Sequence, residues 1–288
     1  MKKVIVFGGG YIGSVYISNT RNVEVVAVAD NFLQGYFCGH KVISPDEILN
    51  YEFDSVVICL NDHAINDKET DKVYYQLLEM GIEKSKIELH NVIYLENSDP
   101  RVLFLKKYSE TVKRYELEGA VAECGVFRGH FAHFISKYFE DKAFYMFDTF
   151  DGFDERDIAT EPTGGMRSYL CAGLEDDWAK GASEEIALNR CLNKEKVVIK
   201  KGYIPETLKG LEDEKFVFVN LDMDLYEPTI KALKWFWSRI VKGGIILCHD
   251  YFYMGCPGVT KAVDEFLDEV NAIAVPIGDG LSIAIIPM

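Results

Sequence analysis

Two aspartates separated by a single residue, Asp222 and Asp224, end a mostly apolar, β-favouring run over residues 216–229, FVFVNLDMDLYEPT. In an open α/β sheet ligands collect outside the carboxyl ends of the strands, so a buried strand that stops in two acids delivers both to a binding crevice. A second apolar run, residues 244–248, stops in His249-Asp250. One crossover helix between the two runs would make them neighbours and gather three carboxylates and an imidazole at adjacent strand ends. Hard divalent ions such as Mg²⁺ take a few carboxylates together with waters and substrate oxygens. The set is therefore suited to holding a metal and to accepting a proton. Capping is the competing account: Asp222 or Asp224 could cap a helix over residues 228–241, and Asp250 the loop that follows its strand. Caps alone leave the coincidence of three acids and a histidine without a cause.

Two glycine loops carry the other candidate chemistry. Glu123-Cys124-Gly125-Val126-Phe127-Arg128-Gly129 lies between a strand and a helix and would bring bare backbone close to a cofactor, with Glu123 placed for an amino group. Asp148 ends the next strand, where an acid receives ribose hydroxyls. No residue there suits a pyrophosphate clamp, and Arg128 is the only nearby cation, which favours a nucleoside-type cofactor such as S-adenosylmethionine (SAM) over NAD. The other loop, Gly8-x-Gly10-x-x-Gly13 with Asp30 closing the next strand, has dinucleotide-fingerprint spacing in a strand–helix context. Its glycines would serve either a bound nucleotide or nucleotide-sugar, or close packing alone.

The elements that must position these residues form two sets. Strands over residues 3–7, 23–29, 54–60 and 86–89 alternate with helices ending near residue 20, opening at Ser44-Pro45, and spanning 67–80, so a small parallel sheet is expected. Residues 101–116 have helical spacing and read as a connecting helix. Strands are then expected at 120–123, 143–147, 196–200, 216–220 and 244–248, with helices at 130–139, 183–192, 205–211, 228–241 and 259–270. Gly278-Asp279-Gly280 between two apolar runs signals a closing antiparallel hairpin. Residues 151–181 show no clear period and read as a lid or binding loop. The fold class is α/β, with two Rossmann-like domains. Their expected bounds are 1–95, a connecting helix over 96–118, and 119–288.

Composition narrows the function classes. A formal net charge of −15 argues against a nucleic-acid partner, whose affinity rests on Lys and Arg neutralising phosphates. No apolar run reaches the roughly 20 residues that span a bilayer, which argues against membrane insertion. Seven cysteines, none in a C-x-x-C pair, favour free thiols and a cytoplasmic location over a disulfide framework. Self-association into a homo-oligomer stays open.

The segments AECGVFRG, DTFDGF, GYIPETL, LDMDLYEPTIKAL, GGIILCHDY and C-x-G-V-x-x-AVDEF occur in one order. Over residues 118–288 the chain thereby resembles the macrocin O-methyltransferase-like family, class I sugar O-methyltransferases that use SAM and Mg²⁺. The resemblance implies cofactor contacts from Glu123, Gly125, Val126, Gly129, Asp148, Thr149 and Phe150. It implies Asp222 and Asp250 as metal ligands and Asp224 as general base. Where the family carries a second aspartate this chain has His249, a ligand better matched to Mn²⁺, Fe²⁺ or Zn²⁺ than to Mg²⁺. Residues 1–90 more distantly resemble a small nucleotide-sugar-binding domain of bacterial sugar-modifying acyltransferases, which implies a nucleotide site at Gly8, Gly10, Gly13 and Asp30. The implied reaction moves a methyl group from SAM to a hydroxyl of a sugar-containing small molecule or glycan precursor. The rival enzyme reading, an NAD-dependent reductase or epimerase, calls for a Tyr-x-x-x-Lys pair, and residues 1–95 contain none. A third reading is a non-catalytic nucleotide-sugar-binding module.

Overall fold

A computed structural model describes residues 1–60, 68–90, 99–171 and 182–288. The chain divides into two compact units, Met1–Asn97 and Ser98–Met288.

The first unit is built on strands β1 (Lys2–Phe7), β2 (Val23–Ala29), β3 (Tyr36–Phe37), β4 (His40–Ile43), β5 (Ser55–Ile58) and β6 (Ile87–Leu89), with helices α1 (Tyr11–Asn19) and α2 (Lys68–Glu79). They form one sheet in the order β3-β4-β2-β1-β5-β6. It is parallel apart from the β3–β4 pair, whose two-residue pairing is too short to leave a period in the sequence. Val4, Ile5, Val6 and Val57 are fully buried, as expected of parallel strands covered on both faces. Ser44 and Glu47 form a capping box at the turn of helix over Pro45–Asn50, the opening that Ser44-Pro45 signals.

In the second unit, α3 (Pro100–Arg114) starts at Asp99, whose side chain accepts from the amides of Arg101 and Val102 at 2.8 and 3.1 Å. Such a cap is worth about 1 kcal/mol. There follow β7 (Ala120–Cys124), α4 (His130–Tyr138), β8 (Phe144–Asp148), α5 (Glu155–Thr160), α6 (Gly165–Cys171), α7 (Glu184–Arg190), β9 (Val197–Lys201) and β10 (Phe216–Leu221). The chain continues through α8 (Tyr226–Trp237), β11 (Ile240–Cys248), α9 (Pro257–Glu269), β12 (Ala272–Pro276) and β13 (Ile283–Pro287). The sheet runs β12-β13-β11-β10-β7-β8-β9, with β13 antiparallel to both of its neighbours. All six residues of β10 are buried. Its side chains serve two layers: Phe216 meets Phe236 of α8 at 5.0 Å between ring centroids, and Phe218, turned to the other face by a register shift between the two residues, meets Tyr108 of α3 at 5.9 Å. The Tyr108 hydroxyl lies 2.9 Å from the carbonyls of Val217 and Gly243, which pins α3 across β10 and β11.

Two expectations need adjustment. Residues 151–171 hold two short helices, α5 and α6, where the sequence reads as structureless, because six- and seven-residue helices carry too few turns to show a period. The remainder of that expected lid, residues 172–181, lies outside the described residues. The strand before His249 begins at Ile240, not Gly244. A register shift against β10 lets it pass through Gly243 and Gly244 without ending.

Candidate active site

Strands β8, β7, β10 and β11 lie side by side in that order. The chain steps outward from β7 to β8 and β9, then returns to place β10 on the opposite side of β7. That reversal opens a crevice at the carboxyl ends of the strands. The crevice is walled by, among others, Gly125, Phe147, Asp148, Tyr203, Asp222 and Asp224. A non-glycine residue with positive φ follows each of the four strands: Phe127 at 50°, Phe150 at 51°, Asp224 at 61° and Asp250 at 59°. Such backbone costs on the order of 1–3 kcal/mol per residue and collects where a site needs side chains aimed against local preference.

On the β7–β8 side, Asp148 organises the glycine loop. Its Oδ2 accepts from the amides of Val126 and Phe127, both at 2.7 Å, and its Oδ1 accepts from Phe150 N at 2.7 Å. An ionised carboxylate offers about four lone-pair positions, so one remains for a hydroxyl of a bound ligand. Thr149 also lines the crevice, its hydroxyl donating to Gly152 O at 2.6 Å. Gly125 (φ +81°) presses its backbone onto Asp222, where an added Cβ would stand 1.8 Å from the carbonyl oxygen. Gly129 serves helix packing, because a Cβ there would meet Ala187 of α7 at 2.8 Å. Phe150 and Val126 are buried.

Glu123 sits elsewhere than its sequence position suggests. It is 1% exposed and does not line the crevice. Its Oε1 accepts from Asn220 Nδ2 at 3.1 Å, while Oε2 is buried with no hydrogen-bond partner among the described residues. Burial pushes its carboxyl well above the usual range, and the nearby Arg101 charge offsets only part of that.

On the β10–β11 side the structure gathers the four acid-cluster residues. His249 Nδ1 lies 3.1 Å from Asp222 Oδ1 and 3.0 Å from Asp250 Oδ2, yet neither contact has hydrogen-bond alignment. The ligand atoms of Asp222, His249 and Asp250 all lie within 4.8 Å of one another, and so do those of Asp224, Asp250 and Cys256. Burial alone would raise the Asp222 carboxyl, but Arg101 and His249 together hold it far below the usual range. Burial would lower the His249 imidazole, but Asp222 outweighs it and pushes the ring up to about 9. Asp224 moves the other way: burial, then the charges of Asp250 and Asp222, push its carboxyl well up. Neither Asp222 nor Asp224 caps α8, whose N-cap is Leu225. The first amide of that helix, Tyr226 N, donates instead to Glu161 Oε2 at 2.6 Å.

The donor set fits a divalent cation. Ligand atoms of two carboxylates and an imidazole converge within 4.8 Å of one another, and a third carboxylate beside them, Asp224, is made more basic by burial and by its acidic neighbours. Mixed oxygen and nitrogen donors suit Mn²⁺, Fe²⁺ or Zn²⁺ as well as Mg²⁺.

Several residues of the site escape sequence reasoning. Arg101, from the helix read as a connector, donates through Nη2 to Asp222 Oδ2 at 2.9 Å and to Asn220 Oδ1 at 2.8 Å. Cys256 Sγ lies 3.8 Å from Asp224 Oδ1. Glu161, fully buried, lies in the stretch read as a lid. One signal was available: Asn220 is the only polar residue in β10, and a buried amide in a central strand requires partners.

In the first unit, Gly8, Gly10 and Asp30 border a separate shallow cleft with Tyr11, Phe32 and Leu33. Gly8 and Gly13 are explained by packing, since a Cβ on Gly13 would stand 2.1 Å from Gly8 O and one on Gly8 would stand 2.5 Å from Cys59 O. Asp30 accepts from the amides of Gly9, Phe32 and Leu33 at 2.7, 2.9 and 2.9 Å. Burial would raise its carboxyl, but those amides hold it below the ordinary value.

The seven-stranded sheet with its antiparallel end, and the crevice at the β7–β10 switch, define the second unit as a class I SAM-dependent methyltransferase. Residues 94–280 match the family model described as Macrocin-O-methyltransferase (TylF), well over half of the chain. The chain belongs to that family of SAM-dependent sugar O-methyltransferases. Residues 1–88 match a second model, described as C2185-like, N-terminal. Among solved structures, the chain is similar to the O-methyltransferase NovP, with a TM-score of 0.56 and 23% identity over 66% of this chain and 80% of that one. It also matches CalS11, a calicheamicin methyltransferase, with a TM-score of 0.47 and 20% identity over 78% of this chain and 94% of that one. No curated protein matches. No described helix is long and apolar enough to cross a membrane.

Proposed function

We propose that the second unit moves a methyl group from SAM to a hydroxyl of a sugar-containing small molecule or glycan precursor, with a divalent metal at Asp222, His249 and Asp250. The observation that carries this reading is the convergence of those three side chains and Asp224 at the end of a crevice whose other wall is the Gly125–Asp148 loop. When bound, a cation there would supply Lewis-acid activation of the acceptor hydroxyl. Asp148, Thr149 and the Gly125 backbone hold the nucleoside end of the methyl donor, and the apolar side chains of Phe147, Met223 and Leu225 exclude water from the reacting centre. Asp224 accepts the hydroxyl proton as the new O–CH₃ bond forms and the sulfonium S–CH₃ bond breaks. Its carboxylate is held for this by a left-handed backbone at the tip of β10.

Family membership favours methyl transfer over the nicotinamide reading of the N-terminal glycine motif. The test is product mass spectrometry on a panel of nucleotide-sugars and glycosylated small molecules, with SAM and each of Mg²⁺, Mn²⁺, Fe²⁺ and Zn²⁺. The reading expects one added methyl on a sugar hydroxyl, lost after chelation and restored by one of the metals. Full turnover in excess chelator would remove the metal from the scheme, and absence of any methylated sugar would remove the sugar acceptor.

A further inference from the structure

We infer that Arg101 is a positioning residue for the methyl-transfer site: from the first turn of α3 it clamps Asp222 in the one orientation that presents Oδ1 to His249. The inference rests on the metal-assisted reading above and assigns a role to a helix outside the strand ends that carry the acid cluster.

The clamp is specific to a guanidinium. A single nitrogen, Nη2, bridges Asn220 Oδ1 at 2.8 Å and Asp222 Oδ2 at 2.9 Å, so the two side chains at the end of β10 are tied to one donor. The plane of the group lies over the Phe131 ring, with Cζ 4.1 Å from its centroid. A lysine ammonium is a compact, strongly hydrated point charge without that planar face, and does not reproduce such a stacked bridge. The bridge fixes which carboxylate oxygen is free: Oδ2 is taken by Arg101, and Oδ1 faces the His249 ring. Asn220 passes the ordering inward, its amide nitrogen donating to the buried Glu123 at 3.1 Å. Arg101, Asn220, Asp222 and Glu123 thus form one hydrogen-bonded chain from α3 to β7.

Packing alone does not call for this arrangement. The Arg101 side chain is 12% exposed, and among the described residues its buried Nε and the buried Oε2 of Glu123 have no hydrogen-bond partner. Apolar side chains of similar volume are often as good or better for stability than a buried ion pair. A reacting side chain keeps its productive geometry only when supporting hydrogen bonds lock its rotamer, which is what the Arg101 bridge does for Asp222. Asp99 caps the helix start, with its carboxylate on Arg101 N, and Tyr108 ties the same helix to the backbone of β10 and β11. The clamp is therefore mounted on a fixed base.

The experiment compares Arg101→Met and Arg101→Lys with the wild type in kcat, in KM for SAM, in SAM affinity by calorimetry, and in thermal midpoint. A carboxylate misplaced by about 1 Å costs on the order of 10²-fold in rate. The expected result for Arg101→Met is a fall in kcat of that order, with KM and calorimetric affinity for SAM within threefold of the wild type and the folded protein retained. Arg101→Lys should be intermediate, because the charge is kept and the bridge is lost. A kcat for Arg101→Met within twofold of the wild type overturns the inference. So does a loss of SAM affinity and thermal midpoint in parallel with kcat, which would make Arg101 a support of the fold only. Absence of turnover in the wild type removes the underlying reaction and the inference with it, whereas wild-type turnover with indifferent variants removes the inference alone.

Discussion

Replacing Gly125 with alanine should damage stability and cofactor binding together, and the size of the effect follows from two local facts. The residue has φ +81°, a region that costs an L-amino acid about 1–2 kcal/mol. The new Cβ would stand 1.8 Å from Asp222 O and 2.6 Å from its carbonyl carbon. Neither side yields cheaply, because Asp222 N is bonded to Cys124 O at 2.8 Å and Gly125 N to Phe147 O at 2.9 Å. Overpacking of this kind adds about 1–3 kcal/mol, so the variant should lose about 2–5 kcal/mol in all. Urea unfolding followed by tryptophan fluorescence is a suitable assay, since Trp235 and Trp237 belong to α8 and residues 1–97 contain no tryptophan. The signal therefore reports the unit that holds Gly125. Calorimetry with SAM supplies the second reading, and affinity should fall as the loop is pushed off β10. A stability loss below about 0.5 kcal/mol, the range of a neutral surface change, with SAM affinity intact would refute the close backbone contact.

Other outcomes follow from the same geometry. Asp224→Asn should keep SAM binding and lower turnover by about 10²–10⁴-fold, the usual worth of a general base; unchanged turnover in a stopped time course would exclude Asp224 from that role. In the first unit, Gly13→Ala should cost about 1–3 kcal/mol because its Cβ meets Gly8 O at 2.1 Å. A Cβ on Gly10 meets nothing within 4 Å among the described residues, so Gly10→Ala should be neutral, and hydrogen exchange over β1 and β5 should speed up only in the former. Asp279 accepts from Leu281 N, Ser282 N and the Ser282 hydroxyl. Burial would raise its carboxyl, but those donors hold it below 3.8. A folded value below the unfolded one stabilises above the unfolded value and is lost as pH falls through the folded one. The stability gap between wild type and Asp279→Asn should therefore be constant above about pH 5 and narrow below about pH 4. A gap that stays level down to pH 3 would contradict that account.

Much of this architecture is legible in the chain because burial on both faces leaves a strong mark. The run FVFVN can be little else than a central strand, and the acids at its tip follow from where a sheet keeps its ligands. The Gly278-Asp279-Gly280 turn reveals a hairpin, but not that β13 pairs with β11 while β12 takes the edge, since turn chemistry does not say which arm faces the sheet. Arg101 was illegible for a different reason: its partners Asn220 and Asp222 lie 119 and 121 residues away, and a lone arginine among the charges of an amphipathic helix carries no local sign of them. Asp148 shows the limit of motif reading from the other side. Its place at a strand end is visible in sequence, but its grip on three loop amides is a matter of backbone geometry that composition does not encode.

The insertion of β13 between β11 and β12 has a bearing on biosynthesis. Strand β11, which delivers His249 and Asp250, keeps one edge of bare amides and carbonyls until Ile283–Pro287 leave the ribosome. A nascent or truncated chain lacking those residues presents that edge, flanked by Ile245, Ile246 and Leu247, as a template for β-pairing with another chain. Covering that edge of β11 thus waits on β13, the last strand in chain order.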